Sequence, residues 1–483
     1  MSRLWRAAAI GLGVALAGCA VGPDFHPPAP PHEQAYVYDP APATVGGQRL
    51  ISGEEPAADW WRAFGSPELD RLMAAALAHN PDLAAARAAL HQAHEIWLAQ
   101  RGALLPSVDV QAQALRARNS QSLAPPLSNN AVTYNLFSGQ VNVGYTLDVF
   151  GGVRRASEAA RAQAEQQRFE AEAAYLTLTS NVAGAFVQLA ALRDQQDATQ
   201  ALVRVDQQLV DLTRLQHDRG QISGAELAQA EAQLAQARNA VPGLNKQIAQ
   251  QADLLAALCG QTPSQFAVPQ ARLADLRLPG ELPLSLPAQM VRQRPDVRAA
   301  EAAVHAASAE LGVAVAARLP NFTLSGSAGG AAPQIGAVLT PANELWSIAG
   351  SLGQPIFQGG ALLHRQRAAR AALDQAQAQY RSAVLAGFQN VADTLSAIMT
   401  DADALGADRE AEAAAKRNAQ IAWARHRSGQ ISSLDELSAR TSALQASVAR
   451  AQAEATRLTD SIALLVALGG GWWSRNDFEG GRD

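Results

Sequence analysis

The strongest constraint on this chain is an internal duplication. Pro295 and Asp296 open an Ala-rich stretch that Pro320 closes, and residues 322–328 then alternate apolar with polar. Pro81 and Asp82 open an equivalent stretch that Pro106 closes, and residues 108–114 alternate in the same way. Both pairs of prolines lie 214 residues apart. Gly220-Gln221-Ile222-Ser223 returns 209 residues later as Gly429-Gln430-Ile431-Ser432, and Leu258-Cys259-Gly260 returns at the same spacing as Ala467-Leu468-Gly469. A repeat this long must be settled before any domain count, and it implies one architecture built twice.

Composition narrows that architecture. Of 483 residues 48% are hydrophobic but only 5% aromatic, much of the remainder being Ala. Such helices approach closely but supply little apolar bulk, which favours long packed helices over a thick globular core. The net charge of −5 and the lack of a basic stripe exclude a nucleic-acid partner. Cys19 and Cys259 are too few for a disulfide framework.

Residues 1–18 have the pattern of an export signal. Arg3 and Arg6 precede an apolar run from Ala7 to Leu16, too short to span a bilayer. The segment ends Leu16-Ala17-Gly18-Cys19, which resembles the bacterial lipobox, and that resemblance makes Cys19 the lipidated mature N-terminus. The residue after it is Ala20 and not Asp, which in the same resemblance implies delivery to the outer membrane. Residues 19–59 then read as an extended, Pro-rich tether. Trp60, Trp61 and Phe64 are the first apolar anchors.

Period-2 alternation predicts two strands in each half. Val108, Val110, Ala112 and Ala114 oppose Asp109, Gln111 and Gln113, and Val141, Val143, Tyr145, Leu147 and Val149 oppose Asn142, Gly144, Thr146 and Asp148. Each pair ends at a Gly-Gly step, Gly151-Gly152 or Gly359-Gly360, and a very long Pro-free helix follows. Tyr175, Thr179, Val182, Phe186 and Leu189 step by four and three, as do Val384, Phe388, Val391, Leu395, Ile398, Ala402 and Leu405. These are coiled-coil seams. Each long helix reverses at Gly220 or Gly429 and a shorter helix returns, the first expected to break at Pro242-Gly243.

The expected layout has a signal peptide over 1–18, a lipidated tether over 19–59, a first repeat over 60–285, a second over 286–471 and a tail over 472–483. In the first repeat the strands run from about 107 to 116 and 138 to 150, the long helix from about 153 to 219 and the return helix from about 224 to 259. In the second they run from about 321 to 330, 345 to 357, 361 to 428 and 433 to 468. The fold class is mainly α with a small β part. Four strands do not close a membrane barrel, since the smallest have about eight, and open edges are not viable in lipid. If these strands span a membrane, several chains share one barrel.

The motifs together resemble the TolC-like outer-membrane efflux channels, in the NodT-type lipoprotein branch. They are LAGC followed by VGPDF, WW…F before HNPDLAAA, LDVFGGVRR, RQRPDV…AAEAAV…AARLPNF, QPIFQGG, GQIS twice and ALGGGW. They cover nearly the whole mature chain in order. The resemblance implies a homotrimer with a shared twelve-stranded barrel in the outer membrane and a helical tunnel across the periplasm. It implies two partners, a periplasmic adaptor (membrane fusion) protein and an inner-membrane transporter of the resistance–nodulation–division type. It makes the turns at Gly220-Gln221 and Gly429-Gln430 the adaptor-docking tip. It makes Glu226 and Asp435, each six residues past its tip Gly, a ring of gating carboxylates. The simpler account of those acids is that the first turn of any helix favours them. The family's gate Tyr and Arg are replaced here by His426 and Ile431, so this latch must differ.

No HExxH, Walker A, GxGxxG or GxSxG motif is present, and the nine His show no metal-ligand spacing. His217 and His426, each three residues before its tip Gly, read as polar turn residues, and Cys259 as a small core residue. The expectation is a channel, not an enzyme, with no cofactor beyond the lipid on Cys19. The outer-membrane duct of a type I secretion system is the alternative. A structural periplasmic lipoprotein ranks far below, since it needs no alternating strands.

Overall fold

The structure is a computed structural model describing residues 20–29, 35–37, 42–120 and 132–475. In chain order it contains β1 (Thr44–Val45), β2 (Gln48–Ser52), α1 (Pro67–His79), α2 (Pro81–Gly102), β3 (Ser107–Arg118) and β4 (Thr133–Leu147). Then follow α3 (Gly152–Asp218), α4 (Gly224–Leu258), β5 (Glu281–Leu284), α5 (Pro287–Gln293) and α6 (Pro295–Ala316). β6 (Asn321–Ala332), β7 (Glu344–Gly353), α7 (Ala361–Arg427) and α8 (Ser433–Ala467) complete the order. Cys19 and the β3–β4 connection at 121–131 lie outside the described residues.

The chain forms two compact units, and α2, α3, α6 and α7 contribute residues to both. Among the described residues the first unit draws on 20–28, 89–120, 132–167 and 299–381. It holds one four-stranded antiparallel sheet in the order β3-β4-β6-β7. Val110 pairs with Val141, Tyr145 with Leu324 and Ala328 with Trp346, so β4 and β6 join the two repeats and one strand of each repeat is left at an edge. β4 was expected to reach residue 150 but stops at Leu147, because the Asp148 carboxylate accepts the N–H groups of Val153 and Arg154 and so caps α3. β7 stops at Gly353, short of the expected 357, ahead of Pro355, which has no N–H to give a ladder.

Among the described residues the second unit draws on 29, 35–37, 42–88, 168–298 and 382–475. Ser66 caps α1 and Asn80 caps α2, its Oδ1 accepting from Leu83 N at 2.9 Å while its Nδ2 donates to the Leu258 carbonyl. The apolar core gathers Trp60, Trp61, Phe64, Met73, Phe186, Leu189, Cys259, Leu458 and Ile462. Every seam position expected between Tyr175 and Leu189 is buried, as are Val391, Leu395, Ile398, Ala402 and Leu405. α3 has the length and apolarity to cross a bilayer, yet 72% of that apolar window is buried by protein, which is the signature of a bundle core.

Two expectations need correction. The stretch taken as a bare tether over 19–59 contains β1 and β2, and β2 pairs in parallel with β5. Val45 and Gln48 are buried, and the Gln48 amide donates to the Pro279 carbonyl and to Ser461 Oγ. Five residues carry too little alternation to announce a strand, and its partner lies more than 200 positions away. The return helix α4 is also continuous through Pro242. Pro242 is exposed there, so water can satisfy the carbonyl that loses its partner.

Candidate functional site

The two helix reversals share one backbone plan. Arg219 and Gly220 follow α3, and Gly220 takes φ +70°, as Gly429 after α7 takes φ +72°. A side chain at either Gly would meet open space, so the constraint is the left-handed backbone alone. Gly220 N donates to the His217 carbonyl and Gln221 N to the Gln216 carbonyl at 2.9 Å. Gly429 N donates to the His426 carbonyl and Gln430 N to the Arg425 carbonyl, also at 2.9 Å. These bonds satisfy the last carbonyls of each long helix.

Each return helix then starts with a capping box. Ser223 Oγ accepts from Glu226 N at 3.3 Å, and the Glu226 carboxylate accepts from Ser223 N at 2.8 Å. Ser432 Oγ accepts from Asp435 N at 3.2 Å, and Asp435 accepts from Ser432 N at 3.2 Å and from Ser432 Oγ at 2.7 Å. The two acids expected at a gate are thus folded back onto the start of their own helices. Among the described residues no hydrogen bond links one turn to the other.

His217 and His426 strap these turns. Each Nδ1–H donates across the turn to the carbonyl of Ile222 at 3.3 Å or Ile431 at 3.4 Å. A carbonyl only accepts, so Nδ1 carries the proton, and on His426 this leaves Nε2 free to accept from Ser433 Oγ at 3.2 Å. Among the described residues no group of His, Cys, Asp or Glu could hold a metal. Behind the turns the halves diverge. Arg214 pairs with Glu231 at 2.6 Å behind the first, whereas the Arg427 guanidinium lies 4.9 Å from the Trp423 ring behind the second. The Trp423 contact was not foreseen, although a lone Trp beside three basic residues near a helix end was a visible signal.

The model of the family described as outer membrane efflux protein matches residues 72–261 and 286–470. The pyoverdine export outer membrane protein OpmQ of Pseudomonas putida is 32% identical over 449 residues, covering 90% of this chain and 94% of that protein. The chain belongs to the outer membrane efflux protein family. The toluene efflux pump outer membrane protein TtgC of Pseudomonas putida is 27% identical, covering 95% of this chain and 94% of its own. The solved outer-membrane channel OprN aligns over 94% of this chain and all of its own at TM-score 0.80 and 28% identity. The open-state MtrE channel of Neisseria gonorrhoeae aligns over 94% of this chain and 99% of its own, with TM-score 0.81 and 26% identity.

This family is one of outer-membrane channels, and that sets what the remaining sites can do. Cys259 is fully buried with Sγ 3.7 Å from the Leu72 carbonyl, and burial pushes its thiol up, away from reactive thiolate. At the other end, residues 21–25 form a seated strap. Val21 N donates to the Phe150 carbonyl, and the Arg155 guanidinium donates to the Val21 carbonyl and, at 2.6 Å, to Asp24. Phe25 stacks on His305 at 4.3 Å, and His305 meets Glu158 at 2.9 Å. The VGPDF motif is therefore a docking sequence, a role the linear chain did not disclose.

Proposed function

We propose that this outer-membrane efflux protein is the passive exit duct of a tripartite pump. It receives small molecules from an inner-membrane transporter of the resistance–nodulation–division type through a periplasmic membrane fusion adaptor. It conducts and does not catalyse. The observation that carries the reading is the single four-stranded antiparallel sheet with β3 and β7 at its edges. A sheet in lipid must close, and three copies joined edge to edge would make a barrel of about twelve strands, within the range of membrane barrels. Mass measurement in mild detergent is expected to give three chains, and a stable monomer would overturn the reading.

The remaining parts take their roles from this arrangement. The tips at Gly220, Gln221, Gly429 and Gln430 face the adaptor. Glu226 and Asp435, three copies of each, ring the periplasmic mouth and favour cations. Cys19 carries the lipid anchor. Ala20, the next residue, packs directly against Gly151 just past the end of β4, which supports an anchor beside the membrane strands. Intact mass should show the acyl groups, and their persistence in Cys19→Ser would refute the assignment. The relatives export cargoes as different as pyoverdine and toluene, in keeping with a duct that leaves selection to the pump.

A further inference from the structure

Asp206 stands on α3, fourteen residues before Gly220, and none of it is exposed to solvent. Its Oδ1 accepts from Gln233 Nε2 on α4 at 3.0 Å and from Thr441 Oγ1 on α8 at 3.2 Å. No donor among the described residues reaches Oδ2. The surroundings are apolar, with Val205, Leu209, Val210, Ala230, Leu234 and Leu437 packed into one cluster from the same three helices. One carboxyl group therefore joins three helices with half of its acceptor capacity unused.

The charged neighbours on all three helices are engaged elsewhere or turned to water. On α3, Arg204 is exposed and Asp211 accepts from Gln207. On α4, Glu231 pairs with Arg214 and Arg238 donates to Gln207. On α8, Glu436 pairs with Arg440. Another buried acid is held differently. Glu412 on α7 is also buried, but Lys416 lies 2.9 Å and Arg450 3.2 Å from its carboxylate. An ionised carboxylate in apolar packing with no cation is strongly disfavoured, and the neutral acid is not.

We propose that Asp206 is a proton-binding site, held as the neutral acid while α3, α4 and α8 are packed together and ionised when they part. The inference goes beyond the duct reading and stands on the packing within one chain, so it holds whether or not the tips form a gate. Burial pushes the Asp206 carboxyl up, and the hydrogen bonds from Thr441 and Gln233 offset that only in part. The sign follows from the two states. Below the ordinary carboxylate range both the packed and the parted forms are protonated, and no cost arises. Between the ordinary and the raised value the parted form ionises while the packed form stays neutral, so the joint loosens with rising pH until the packed form must carry the charge too. Acid tightens this end of the bundle and alkali frees it.

The test is hydrogen exchange on the full-length protein in detergent, corrected for intrinsic rates, from the ordinary carboxylate range near pH 4 up to about pH 8.5. The readout is protection of peptides spanning residues 200–240 and 434–445. A local probe is needed because Asp460, pushed up to about 7 by burial and by Asp401, titrates in the same unit. Protection in the parent is expected to fall severalfold as pH rises. Asp206→Asn, which has the shape of the neutral acid and keeps an oxygen for Gln233 and Thr441, is expected to hold the acid-form protection at every pH. A flat parent profile, or an Asn variant that keeps the parent's pH response, overturns the proposal. If Asp206→Asn does not fold, Thr441→Val replaces it. Losing one donor to Oδ1 should move the parent's transition up by about half a pH unit or more, and an unmoved midpoint overturns the proposal equally.

Discussion

The two long helices occupy the same place in the duplication, and each is 67 residues long. They are covered very differently. α3 is buried by its own chain along much of its length, from Ala159 and Phe169 through Tyr175, Val182, Phe186 and Leu189 to Val205, Leu209 and Val210. α7 buries a narrower stripe that includes Leu373, Ala376, Tyr380, Val391, Leu395, Ile398, Ala402 and Leu405, and it leaves Leu385 70% and Trp423 51% exposed. A duplicated sequence thus repeats the backbone plan without repeating the environment. The first copy supplies the interior of the chain. The second supplies a helix whose outer face is left for water or for another copy of the chain, as β3 and β7 are left at the edges of the sheet.

The sharpest way to break this comparison is to truncate one side chain on each helix. Phe186→Ala removes a wholly buried ring from the core and should cost about 3–5 kcal/mol of stability, read by denaturant unfolding. Leu385→Ala on α7 should change the same measurement by less than about 0.5 kcal/mol. A loss at Leu385 as large as that at Phe186 would mean that a neighbouring copy covers α7 as completely as the chain covers α3.

The buried acids sharpen the contrast next. Burial alone would raise Glu412, but Lys416, Ser447 and Arg450 outweigh it and hold the carboxyl below its usual range. Its contribution is therefore present above the ordinary carboxylate pKa and lost as pH falls through the depressed value. Glu412→Gln should cost about 2 kcal/mol at neutral pH, with the gap to the parent closing in acid. This is the reverse of the trend expected at Asp206. Parallel responses to acid at the two positions would remove the distinction between the two sites.

How much of this could be read from the chain follows from the range of each signal. Alternation at Val108–Ala114 and four-and-three stepping at Tyr175–Leu189 are local patterns, and both lie in the elements they announce. The tip glycines and their serines are local too, so their turns were legible down to the cap. Pairing of β2 with β5 is not local, and neither is the seating of Asp24 against Arg155. Asp206 was missed for a related reason. It follows the core residue Val205 as one polar residue among many, and only the meeting of three helices shows that it has no cation. The acids at Glu226 and Asp435 were legible as a pair, but sequence position does not separate a cap from a gate.

The tips should behave alike where the helices behind them do not. Gly220→Ala and Gly429→Ala place a side chain in open space at φ near +70°, so each should cost about 1 kcal/mol from backbone strain alone. Thermal unfolding of the two variants should give matching shifts. A much larger loss at one of them would mean that its turn is packed in the assembled protein against something that one chain does not contain.

The smallest energetic effect carries the functional question. Asp435 serves as the carboxylate of a capping box, accepting from Ser432 N and Oγ. Asp435→Asn keeps an oxygen able to accept these bonds but removes the charge, whereas Asp435→Ala removes both. If the residue is only a cap, the Asn variant should match the parent in planar-bilayer conductance, and the Ala variant should lose about 0.5 kcal/mol of stability or slightly more. If its charge lines the mouth, Asn and Ala should behave alike. Both should then show weaker block by di- and trivalent cations from the periplasmic side and higher conductance, because the constriction concentrates the field of each carboxylate. The same pair of substitutions at Glu226 should repeat the result, since its capping box has the same geometry. Parent-like conductance and block in both Asp435 variants would make the acid a helix-start residue and leave the gate to other groups.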